Sequence, residues 1–261
     1  MIEFDFVKPS TIADAVKALA ADGAQALSGG QTQTPTMKQR LATPSVLVSL
    51  NGIAALKGVS LAGGVLTIGA ATPHAVVARE AGAYPALAAL AGGIGDPAVR
   101  NRGTIGGSLA NNDPAACYPA AALASGATVV TNKRSIHADD YFQGMFATAL
   151  AEGEIITAVT FPVPMKAAYV KFNQPASRFA LTAVFVAKTA SGVRVAVTGA
   201  SNNGVFRWSQ AEAALSADFN AAAIAGLTAS SADLISDLHG TPAYRANLIK
   251  VLTGRAVQQA H

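Results

Sequence analysis

Residues 92–117 read GGIGDPAVRNRGTIGGSLANNDPAAC, and six of the chain's 24 glycines fall within these 26 positions. A stretch this long without evident regular structure is uncommon inside a compact domain, and such stretches usually carry function. Thr104-Ile105-Gly106-Gly107-Ser108 offers a nest of backbone N–H donors, because adjacent glycines lack the Cβ that would block close approach. Asn111, Asn112 and Asp113 follow, with side chains suited to ribose or ribityl hydroxyls.

Upstream lies a second glycine loop, Ser28-Gly29-Gly30-Gln31-Thr32-Gln33-Thr34. A short apolar run (24–27) precedes it and reads as a strand. Pro35 and a predicted helix over 36–41 follow, so the helix start adds positive partial charge to the donors of the loop. Ser28, Thr32 and Thr34 add hydroxyls. This is no Walker loop and no Rossmann fingerprint, since neither Gly-Lys-Ser/Thr nor Gly-x-Gly-x-x-Gly is present. A plain strand-to-helix turn is the competing reading. Two donor-lined loops in one domain suit a long ligand with a central diphosphate, such as FAD.

Around the loops, Ile12, Ala15, Val16 and Leu19 mark one apolar helix face, with Ser10 or Thr11 as N-cap and Gly23 as terminator. Strands are predicted at 46–50, 65–70, 127–130 and 155–161, and helices at 74–81, 85–91 and 115–125. Phe161-Pro162-Val163-Pro164 interrupts both helix and sheet and marks a domain boundary. Beyond it, strands are predicted at 169–172, 181–189 and 193–198, the last two joined by a hairpin at Ala190-Ser191-Gly192. From Ser209 onward the chain reads as mainly helical, with Tyr244, Leu248, Val251 and Leu252 as the apolar stripe of the last helix.

Composition narrows the function classes. The 261 residues are 51% hydrophobic and 13% charged, enough for a sizeable core. The net charge is +4, but Lys and Arg are scattered, which argues against nucleic-acid binding. The single cysteine, Cys117, permits no internal disulfide and cannot hold an iron–sulfur cluster. The four histidines have no metal-ligand spacing, so no metal site is expected and each reads as a solvated or core residue; His74, after Thr72-Pro73, is also a candidate to lie near the ligand. Glu152 and Glu154 read as turn residues, and no catalytic acid/base pair is assigned. The N-terminus lacks a basic n-region, and no run is long enough for a membrane span, so a cytoplasmic location is expected.

The segments at 28–32, Ile68-Gly69-Ala70-Ala71-Thr72, and 100–116, with those at 152–156, 169–172 and 177–180, resemble the FAD-binding medium subunit of the xanthine dehydrogenase and aerobic carbon monoxide dehydrogenase family. The resemblance spans nearly the whole chain. It implies an α+β fold: a two-part FAD-binding domain of the vanillyl-alcohol oxidase (PCMH) type over 1–164, with sub-parts of about 1–52 and 53–164. A small α+β C-terminal domain of the CO dehydrogenase flavoprotein type follows over 165–261. It implies that Gly29–Thr34 and Gly103–Ser108 grip the diphosphate, that Thr72 and Asp113 belong to the site, and that Ile155 or Ile156, Lys171 and Phe179 lie on the flavin side. The FAD would be non-covalent. A molybdenum cofactor on a large subunit and two-iron two-sulfur clusters on a small subunit would feed it electrons, in a dimer of heterotrimers, with a quinone, NAD or oxygen as acceptor. The competing classes are a self-sufficient FAD oxidoreductase, which would turn over an organic donor alone, and a nucleotide-binding module without redox activity. Cys117 departs from the family, which often has an acid there.

Overall fold

A computed structural model describes all residues from Met1 to His261. The chain starts with β1 (Asp5–Val7), α1 (Ile12–Leu19), β2 (Ala24–Leu27), α2 (Gln33–Lys38) and β3 (Val46–Ser49). The three strands form a parallel sheet in the order β1-β3-β2. Thr11 caps α1 by accepting from the Asp14 N–H at 3.1 Å. The helix stops at Leu19, and Gly23, at φ +68°, makes the turn into β2. Ala15, Val48, Leu50 and Ile53 form a small core with Ile155. In a parallel sheet of this kind ligands bind beyond the carboxyl ends of the strands, and the first glycine loop leaves the carboxyl end of β2.

The next stretch contains β4 (Val59–Ala62), β5 (Val65–Gly69), α3 (His74–Glu80), α4 (Pro85–Gly92), α5 (Pro97–Arg102), α6 (Ile105–Asn111), α7 (Tyr118–Ser125), β6 (Thr128–Thr131), β7 (Ser135–His137), α8 (Ala138–Tyr141), β8 (Phe142–Gly144), β9 (Ala147–Thr148) and β10 (Ile156–Pro162). Its main sheet is antiparallel, in the order β4-β5-β10-β6-β7. Every residue of α7 is buried, and its run of alanines permits that close packing.

The expectation of an unstructured glycine-rich stretch is corrected here. Residues 97–102 and 105–111 are helices. Asp96 caps α5, with Pro97 at its first position, and Thr104 caps α6. These are start signals of recognised type, and here they outweigh the poor helix propensity of glycine and asparagine.

The last strands, β11 (Lys166–Asn173), β12 (Ala180–Thr189), β13 (Gly192–Thr198) and β14 (Phe206–Arg207), form an antiparallel sheet in that order. Alternation along β12 serves two cores: Val184 and Val186 pack with α9 (Ser209–Ala217) and α10 (Pro242–Gln259), while Phe185 and Ala187 join the core of the preceding region. A strand buried on both faces reads as one apolar run. From Ser209 the chain is mainly helical as expected, in α9, a 3-10 turn at Ala221–Ile224 and α10, with an irregular stretch over 225–241, consistent with Gly226, Ser230-Ser231 and Gly240. The apolar stripe of the last helix is corrected. In α10 the buried face runs through Arg245, Leu248, Ile249 and Leu252, whereas Tyr244 and Val251 are exposed.

Candidate FAD site

The two glycine loops meet. Ser28 Oγ lies 2.8 Å from Thr104 Oγ1, across 76 residues of sequence. A Cβ on Gly29 would stand 2.3 Å from the Arg102 carbonyl oxygen and 2.7 Å from Gly103 Cα, so only glycine allows this approach. Gly30 adopts φ +70°, in the left-handed region. Asn51, just beyond β3, donates its amide to the Ser28 carbonyl at 2.9 Å and braces the first loop from below.

The loops differ in what they leave open. The backbone N–H groups of Gly29, Gly30, Gln31 and Thr32 donate to no group of the protein, and Thr32 makes no side-chain cap on α2. The second loop is closed on itself instead. Gly106 N–H donates to the Ala70 carbonyl at 2.9 Å, and Gly107 N–H donates to Thr104 Oγ1 at 3.2 Å. Ser108 N–H donates to the Thr104 carbonyl at 3.0 Å. The expected second donor nest is therefore largely absent. Its glycines serve close packing: a Gly106 Cβ would come within 2.6 Å of Ala70 Cβ, and a Gly103 Cβ within 2.6 Å of His74 Nε2.

Both loops line one cleft of about 550 Å³. Ser28, Gly29, Gly30, Gln31, Thr32 and Gln33 form part of its wall, with Gly103, Thr104, Gly106, Gly107 and Ser108 opposite. Asn111, Asp113, Ile155, Ile156, Lys171 and Phe179 complete the expected set. Two expected residues fall outside. Thr34 stands behind Gly30, on the side where a Gly30 Cβ would meet its Oγ1 at 2.9 Å. Thr72 is buried, and its hydroxyl is bonded to the Gly58 N–H and carbonyl at 3.0 and 3.2 Å. Asn112 is likewise structural: its amide donates to the Gly144 and Ala147 carbonyls, both at 2.8 Å.

Lys171 reaches the wall but is tethered. Its ammonium donates to the Gly93 carbonyl at 2.7 Å and the Arg178 carbonyl at 3.1 Å, and Cys117 Sγ lies 3.7 Å away. Phe179 stays 52% exposed at the rim, so its ring is available to cover a planar ligand.

Sequence reasoning missed Glu154 as a wall residue. Burial alone would raise its pKa. The Arg134 guanidinium at 3.1 and 3.2 Å, the Ala151 N–H at 2.8 Å and the Thr131 hydroxyl at 2.6 Å outweigh it and hold the carboxyl at about 2, against an ordinary 4.5. A carboxyl depressed in the fold stabilises it above pH 4.5, and that contribution is lost as pH falls toward 2. Thermal melts of Glu154→Gln should therefore show a deficit against the parent that is largest at pH 7 and narrows below pH 4.5. A deficit independent of pH would remove the ionised carboxylate from the explanation.

The residues fit a dinucleotide. Unbonded amides suit a diphosphate, and the rest of the cleft is largely apolar, with an aromatic rim. Residues 2–164 match the family described as the FAD binding domain in molybdopterin dehydrogenase. The chain is 35% identical to the nicotine 6-hydroxylase medium subunit of Paenarthrobacter nicotinovorans, over 98% of this chain and 96% of that one. It is 34% identical to the carbon monoxide dehydrogenase medium chain of Afipia carboxidovorans, at the same coverage. Among solved structures, quinoline 2-oxidoreductase from Pseudomonas putida 86 superposes with a TM-score of 0.87 at 27% identity, covering 99% of this chain and 96% of that one. The Cu,Mo-CO dehydrogenase gives 0.86 at 31%, covering 99% and 98%. The α+β fold read from the resemblance is thus the fold of these medium subunits, and the chain belongs to the FAD-binding medium subunits of the molybdenum hydroxylases.

Proposed function

We propose that the cleft holds one FAD without a covalent bond, its diphosphate on the open amides of Gly29 to Thr32. The observation that carries this reading is the row of unbonded N–H groups butted against the second loop at Ser28 and Thr104. FAD, when bound, supplies the redox chemistry, and the chain's own residues place and tune it. Ser108, Asn111 and Asp113 offer polar contacts along the cleft. Ile155 and Ile156 provide an apolar wall, Phe179 covers a ring face, and Lys171 holds a positive charge nearby. Residues 1–164 form the FAD-binding domain, with sub-parts of about 1–52 and 53–164, and 165–261 form the second domain.

The chain works as the medium subunit of an oxidoreductase, beside a large molybdenum-cofactor subunit and a small iron–sulfur subunit, assembled as a dimer of heterotrimers. We place the complex in the cytoplasm, where its one cysteine stays reduced. No helix is long and apolar enough to cross a membrane.

The test is purification from the native host, with flavin absorbance, molybdenum, iron and co-purifying chains measured together. One acid-releasable FAD per copy of this chain is expected, with two metal-bearing partners. A chain that elutes alone and colourless would overturn the proposal. So would oxidation of an organic donor by the isolated flavin-loaded chain, which belongs to the self-sufficient reading.

A further inference from the structure

The first turn of α3 carries His74, which the sequence offers near the ligand without saying what it would contact. His74 is 5% exposed. Its backbone N–H donates to the Gly103 carbonyl at 2.9 Å, which fixes it against the second loop. Nδ1 is sealed inside the protein with no hydrogen-bond partner. The ring reaches the cleft through its other edge, since Nε2 and Cδ2 face Gly103, where a Cβ would meet them at 2.6 and 2.9 Å. The protein gives Nε2 no partner either. Burial, aided by the nearby Arg100 charge, lowers the ring's pKa to about 4, so it is neutral at pH 7. Nearby wall residues, Ala70, Ala71, Ile94 and Val99, are apolar.

An imidazole with one nitrogen sealed and unpaired is costly, and Nε2, on the cleft side, has no protein partner. An apolar side chain of the same size would serve packing against Tyr118, the neighbouring ring at 5.3 Å, without that cost. A glycine at 103 makes room for the ring at the junction of the loops. We infer that His74 is a cofactor-contacting residue, its Nε2 hydrogen-bonded to an acceptor oxygen of the bound FAD where the second loop meets the cleft. This rests on the proposal that FAD occupies the cleft. It adds a contact from the floor, made by a neutral donor in an apolar setting, where a hydrogen bond is stronger than in water.

The experiment compares the parent chain with His74→Leu and His74→Gln. Each is stripped of flavin, melted, and titrated with FAD by fluorescence quenching. His74→Leu removes the donor, and FAD should bind roughly tenfold more weakly. The same variant, empty of flavin, should melt at or above the parent temperature, because an unpaired polar group has been removed. His74→Gln keeps a donor and should recover most of the affinity. A packing histidine would give the opposite pattern, a lower melting temperature with FAD affinity unchanged, and that pattern would overturn the inference. Equal FAD affinity of all three would also overturn it, while leaving the FAD reading intact. A parent chain that binds no FAD would instead sink the reading on which the inference rests.

Discussion

Gly29→Ala should strip the protein of most of its flavin. The added Cβ would stand 2.3 Å from the Arg102 carbonyl oxygen, 2.9 Å from the Arg102 carbonyl carbon and 2.7 Å from Gly103 Cα. All three are backbone atoms, so no side chain can rotate away. Relief requires the two loops to part, and such overpacking costs about 1–3 kcal/mol. Parting the loops strains the Ser28–Thr104 contact at 2.8 Å and displaces the open amides from the opposite wall. If FAD must close the loops again, that cost comes out of its binding energy, which is roughly five- to hundredfold in affinity. The measurement is the flavin-to-protein absorbance ratio after gel filtration. Gly82→Ala is the control, because a Cβ there meets nothing within 4 Å. Full flavin retention by Gly29→Ala would mean that loop contact is not what shapes the site.

The loops were legible because glycine leaves a trace in sequence wherever backbone approaches backbone. Gly29 and Gly106 are glycine for that reason, since a Cβ on either would meet backbone atoms within 3 Å, and both fall in the two loops that the pattern singled out; Gly103 instead makes room for the His74 ring. What the pattern could not separate was an amide left open from one already bonded. Gly30 and Gly106 look alike in sequence, yet Gly106 N–H is bonded to Ala70 while that of Gly30 is free. That distinction depends on β5 packing beneath α6, a tertiary fact. The β4–β5 hairpin, by contrast, is encoded locally. Gly63-Gly64 between two short apolar runs is a strong hairpin signal, and both glycines take positive φ. Lys171 illustrates a different limit. Its ammonium is held by Gly93, 78 residues away, and no local pattern encodes such a contact.

The misplaced stripe of α10 leads to a second large effect. Arginine is rarely buried, yet Arg245 is 2% exposed. Its guanidinium donates to the Leu181 carbonyl at 2.5 Å, the Gly199 carbonyl at 2.9 Å and Asp237 at 2.8 Å. The Gly199 contact extends further. Gly199 takes φ +81°, and its N–H donates to the Pro114 carbonyl at 2.7 Å. Thr198 Oγ1 donates to the Pro114 and Ala116 carbonyls at 2.9 and 2.8 Å. A chain of hydrogen bonds therefore runs from α10 to the segment carrying Asp113 and Ala115–Cys117, which is cleft wall. Arg245→Ala leaves two carbonyls without their donor and opens a cavity, for a loss of about 3–5 kcal/mol. For a chain of this size that is a fall in Tm on the order of 10 °C. Asp237→Asn should cost far less, about 1 kcal/mol or under, because the Asp237 side chain is 36% exposed and its pairing is a surface contact. Thermal melts of the two variants decide between the carbonyl donors and the ion pair as the source of stability. Equal losses would assign it to the ion pair, and a loss under 1 kcal/mol for Arg245→Ala would show that α10 is held by its apolar face alone.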